Sequence, residues 1–142
     1  MTGLTKTAAR ILGAGAVIAM LTGCVTTSTG LSTGTSASHK VQLPAENTFW
    51  SLRRENYIRG RNDCSNKAGR YARHLIENLG LDATVVVVRT TRGTHAVTKM
   101  TVGSRVLYAD PTSGRWGESL AAWGEPMWEV TRHDLYANRE YL

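Results

Sequence analysis

Three residues of this chain have the types and order needed for a covalent reaction: Cys64, His95 and Asp110. A thiol attacks as a thiolate, so it needs a setting that stabilises negative charge. An imidazole can take the thiol proton and later return it. A carboxylate can hold that imidazole in one tautomer and support its charged form. Nothing in the composition brings them together, so the elements that carry them must.

Cys64 is expected at the start of a helix. Asn62 and Asp63 are good N-cap residues. Behind them, Cys64, Ala68, Tyr71, Ala72, Leu75, Ile76 and Leu79 recur on one face at helical spacing, and Gly80 follows as a stop. A cysteine in the first turn lies among unpaired N–H groups at the positive end of the helix dipole. Lys67 is expected to add to the stabilisation of its thiolate, and Asp63 to oppose it. The same N–H groups could hold an oxyanion. A free cysteine is also often just a small buried hydrophobe.

His95 and Asp110 are expected on neighbouring strands. Residues 85–88 are an unbroken valine run, the pattern of a strand buried on both faces. Residues 94–102 and 105–109 read as two more strands, joined by the two-residue turn Gly103-Ser104. Such a turn sets Val102 opposite Arg105 and, counting outward, Val97 opposite Asp110. Residues 95 and 97 share a face. His95 and Asp110 are then diagonal neighbours, about 7–8 Å apart in backbone and bridgeable by side chains. Asp110 precedes Pro111, so it also reads as an ordinary turn starter.

The other elements are read more coarsely. Residues 46–59 carry a mixed helical pattern, and 127–131 read as a fourth strand. The tail after Arg132 is weakly helical or irregular. Helices first and an antiparallel sheet after them give an α+β fold. Trp116, Trp123 and Trp128 are expected mainly in packing, with a substrate-facing rim as the other reading.

The N-terminal third has a different composition. Lys6 and Arg10 precede an apolar stretch at 11–21, too short to span a bilayer. Leu21-Thr22-Gly23-Cys24 resembles the lipobox of bacterial lipoproteins. That resemblance implies that residues 1–23 are a signal peptide and that Cys24 is acylated as the mature N-terminus, so lipid anchors the chain. Val25 in place of Asp implies an outer-membrane protein facing the periplasm. Residues 24–44 are the lipidated Cys and a Ser/Thr/Gly-rich tether, and 45–142 form one domain of ordinary size.

The formal charge is +6, and loss of Lys6 and Arg10 with the signal peptide leaves +4 (15 Lys and Arg against 11 Asp and Glu). That balance suits polyanions such as cell-wall polymers or anionic headgroups. The charges are scattered and there is no basic–aromatic stripe, so nucleic acid is not an expected partner. His39, His74 and His133 have no metal-ligand spacing, and no phosphate loop occurs, so neither metal nor cofactor is expected.

Asp63-Cys64-Ser65 opening a helix, a valine-rich strand, His95-Ala96-Val97, and Tyr108-Ala109-Asp110-Pro111-Thr112 together resemble the transglutaminase-like superfamily, in particular its bacterial cysteine peptidases. The resemblance covers about half the domain. It implies a papain-like core in which Cys64 is the nucleophile, His95 the general base and acid, and Asp110 its orienter. It implies a thiol hydrolase or acyltransferase acting on peptide or amide bonds through a thioester. The substrate would be a peptide, protein or cell-wall peptide. Trp50 and Asn62 are the candidates for a side chain completing the oxyanion hole. The domain is small for that superfamily. Asp-Cys-Ser is also similar to murein endopeptidases with a papain-like fold, which place more chain before the His. A binding or scaffold lipoprotein of the same fold is the non-catalytic alternative.

Overall fold

The computed structural model describes residues 42–142. The expected signal peptide, Cys24 and most of the expected tether lie outside them. Leu43 is buried, and the Tyr71 hydroxyl donates to the Pro44 carbonyl.

Helix α1 runs Glu46–Arg54 and helix α2 runs Cys64–Leu79. The expected helix over 46–59 therefore stops at Arg54. Beyond it the chain is pulled into a loop: Arg70 grips the Glu55 carboxylate, and the Asn62 amide donates to the Asn56 carbonyl at 2.7 Å. Helix α2 has both ends satisfied. Asp63 accepts the Ser65 and Asn66 N–H groups, and its own N–H donates to Asn66 Oδ1, a reciprocal capping box. At the other end Gly80 turns left-handed at φ 63°, and the N–H groups of Gly80 and Leu81 close onto Ile76 and Leu75.

Five antiparallel strands follow: β1 Ala83–Thr90, β2 Gly93–Val102, β3 Arg105–Asp110, β4 Arg115–Gly117 and β5 Glu125–Glu129. Their order in the sheet is β4-β3-β2-β1-β5. The fold is α+β, as expected, with β1 in the interior of the sheet. Val102 pairs with Arg105, the register the Gly103-Ser104 turn demands. Strand β5 lies two residues earlier than the pattern placed it, and β4 was not foreseen.

The sheet is covered on both sides, which is why residues 85–88 of β1 can all be valine. One face carries Val85, Val87, Ala96, Met100, Leu107 and Ala109, packed with α1 and α2. The Thr98 hydroxyl on that face donates to the Ala68 carbonyl of α2 at 2.9 Å. The other face holds Val86, Val88 and Val97 under Tyr108, Leu120 and Trp123. Burial of each such valine contributes roughly 1.5 kcal/mol or more. After β5 come a short helix α3, Arg132–Ala137, and a 3-10 turn, Arg139–Tyr141. That turn packs on α2 where Gly69 leaves room for the Tyr141 backbone. Among the described residues no helix is long and apolar enough to cross a membrane.

Candidate active site

The site is built where the start of α2 meets the β2–β3 end of the sheet. The capping box fixes Cys64 as the first residue of α2. The last rung shared by β2 and β3 is Thr98 with Ala109. His95 and Ala96 lie just past that rung, so their groups on the β3 side are free to face something other than a strand.

His95 Nε2 is 2.8 Å from Asp110 Oδ2. The diagonal relation expected from the turn register is therefore present. Asp110 is buried, and its second oxygen is also used: Oδ1 accepts the N–H groups of Thr112 at 2.9 Å and Ser113 at 3.2 Å. The two readings of Asp110, turn starter and histidine partner, are both correct and are divided between its two oxygens. The turn closes with Gly114 N–H on the Asp110 carbonyl and packs against Trp50 and Arg53 of α1.

Burial pushes the Cys64 thiol pKa up, but hydrogen bonding from His95 and from the Ala96 N–H, with the charge of the imidazolium, brings it below its ordinary value against the opposition of Asp63. Because Nε2 is taken by Asp110, the ring nitrogen left for the sulfur is Nδ1. His95 is pushed up to about 10, first by the Asp110 hydrogen bond and then by Cys64. Burial raises the Asp110 carboxyl, yet its bonds to His95 and Ser113 hold it below the ordinary carboxylate range. The three shifts favour one ionisation state: thiolate, imidazolium, carboxylate.

Other expectations fare differently. Lys67 is buried, and its ammonium donates to the Glu55 carbonyl at 2.6 Å rather than turning to the sulfur. Trp50 spends its single side-chain N–H on Glu46, and the Asn62 amide donates one of its two N–H groups to Asn56. The cap also consumes the Ser65 and Asn66 N–H groups. Among the described residues the Cys64 N–H forms no hydrogen bond, so it is open to an oxygen brought to the start of α2. Sequence reasoning missed the Ala96 N–H, because it depends on where the β2–β3 ladder stops.

The remaining candidates lie elsewhere. His74 joins Thr48 and Asn78, and His133 lies at the surface beside Asp134. Trp116 and Trp128 are substantially exposed, contrary to a packing role, while Trp123 covers the sheet under Arg115. Among the described residues no group of three His, Cys, Asp or Glu side chains could hold a metal.

The chain matches no family model, and comparison with curated proteins and with solved structures finds no similar protein.

Proposed function

We propose that this chain is a lipid-anchored thiol hydrolase or acyltransferase of transglutaminase-like type, acting on peptide or amide bonds through Cys64, His95 and Asp110. The observation that carries the reading is the 2.8 Å His95–Asp110 bond, together with the mutual influence of His95 and Cys64 that raises the imidazole and lowers the thiol. In this reading the Cys64 thiolate attacks the carbonyl carbon. A C–S bond forms, and the carbonyl electrons move to oxygen, which meets the Cys64 N–H. Collapse breaks the C–N bond, and the amine leaves with the proton from His95. A water, or an amine in transfer, gives that proton back to His95 as it attacks the thioester. Asp110 stays ionised throughout. Cys24 would carry the lipid and hold the site at a membrane surface facing the periplasm, within a papain-like core.

Alkylation by iodoacetamide tests the thiol chemistry. Cys64 should react near neutral pH at least about tenfold faster than an ordinary thiol, whose pKa is about 8.5. The excess should vanish in His95→Ala. Slow labelling that ignores His95→Ala would leave a binding or scaffold protein. Turnover of peptide or murein fragments that survives Cys64→Ser would exclude a thiol mechanism. Metabolic labelling with a fatty-acid analogue should be lost in Cys24→Ala.

A further inference from the structure

The last two residues of α1 and the loop that follows it carry four arginines, Arg53, Arg54, Arg59 and Arg61, all exposed. Among the described residues none of the four forms an ion pair. The acids nearby are already engaged. Glu55 takes Arg70 in two bonds, 2.6 and 2.9 Å. Asp63 spends one oxygen on the helix cap and the other on the Gly60 N–H at 2.8 Å. The positive charge of the loop is thus left without internal compensation.

The same loop exposes two large apolar side chains in succession, Tyr57 at 57% and Ile58 at 52%. Folding ordinarily hides such groups or leaves them single. Here the backbone beneath them is fixed. Ile58 and Asn62 exchange backbone hydrogen bonds of 3.2 and 2.8 Å across the turn, with Gly60 left-handed at φ 74°. Asp63 accepts from both this turn and the first turn of α2, which begins at Cys64. Arg53 lies on the same side of α1 as the turn that follows Asp110.

We propose that this loop is the docking surface for an acidic peptide, with substrate carboxylates on Arg59 and Arg61 and an apolar side chain on Tyr57 and Ile58. The inference rests on the thiol-hydrolase reading only in taking the bound peptide to be the substrate. A basic loop alone would be a solvated face. The paired apolar side chains beside the charge select a polypeptide that carries an apolar side chain among its acids, and Asp63 joins the loop to the start of α2.

The test is a titration of the Cys64→Ala chain with two fluorescent hexapeptides of one sequence, one bearing two glutamates and the other two glutamines. The acidic peptide should bind about three- to tenfold tighter at low salt, the range expected of two exposed ion pairs. The preference should disappear in Arg59→Gln/Arg61→Gln and persist in Arg59→Lys/Arg61→Lys. Equal binding, or no binding up to about 1 mM peptide, overturns the proposal. So does a loop that discriminates only lipid: loss of binding to phosphatidylglycerol vesicles in Arg59→Gln/Arg61→Gln with no peptide preference in the parent. Failure of the thiol-hydrolase reading would show instead in the iodoacetamide rate, which this titration does not use.

Discussion

His95 Nε2 sits 2.8 Å from Asp110 Oδ2, while Asp110 Oδ1 holds the turn that follows it. One buried carboxylate therefore sets both the position of the strand end and the state of the imidazole. A substitution that keeps an oxygen for the turn but removes the charge separates these two duties.

Asp110→Asn is that substitution. The amide oxygen can still accept from Thr112 and Ser113, so the turn should stand. The imidazolium loses its largest support, so the His95 pKa should fall well below about 10. Turnover should drop by orders of magnitude, as for other triad carboxylates. An NMR titration of His95 alongside the alkylation rate checks both. Unchanged curves would reduce the site to Cys64 and His95.

The pH dependence of stability follows from the signs of two shifts. His95 is raised from about 6.5, so its contribution is complete below that pH and is lost as pH rises toward about 10. Cys64 is lowered from about 9, so its contribution is complete above that pH and is lost as pH falls through its folded value. Over the shared window the folded pair and the unfolded pair hold the same number of protons, and the two trends cancel. Cys64→Ala removes one trend. Its melting temperature should decline as pH rises above about 6.5, while the parent protein stays flatter; parallel melting profiles would count against the ion pair.

Lys67 should matter for stability rather than for the thiol. It is 1% exposed, and its ammonium caps the Glu55 carbonyl. Lys67→Ala removes the packed stem and strands that carbonyl, a loss of about 2–4 kcal/mol in urea unfolding. Lys67→Met keeps most of the volume and should recover about half. A change under about 0.5 kcal/mol for Lys67→Ala would mark it as a surface residue.

Gly69 gives a prediction of reversed sign. Ala normally stabilises a helix interior over Gly by about 1 kcal/mol. At Gly69 an added Cβ would collide with the Tyr141 backbone oxygen. Gly69→Ala should therefore cost about 1–3 kcal/mol by overpacking. Thermal melts decide it, since a gain in stability would mean that the 139–141 turn yields freely.

The parts of this molecule legible in the sequence are those that short-range chemistry fixes. Asp63 and Gly80 mark the ends of α2 because capping acts within a few residues. The Gly103-Ser104 turn sets the β2–β3 register, and through it the meeting of His95 with Asp110. What was not legible depends on distant chain. Strand β5 pairs with β1 across some forty residues, and nothing local announces that. Residues 55–59 have helical periodicity, yet Arg70 and Asn62 draw them into the loop. Lys67 reads as a solvated charge until the Glu55 carbonyl arrives beside it. The Ala96 N–H is available to the sulfur only because the β2–β3 ladder stops at Thr98 and Ala109.

The chain separations within the site differ. His95 and Asp110 belong to one hairpin and meet across 15 residues. Cys64 reaches them only when α2 lies down on the finished sheet. A partly opened molecule can therefore keep its imidazole–carboxylate pair while its sulfur is an ordinary, sluggish thiol. The alkylation rate of Cys64 is then a gauge of helix seating. A chain threaded unfolded through a membrane would carry no active nucleophile until it had folded on the far side.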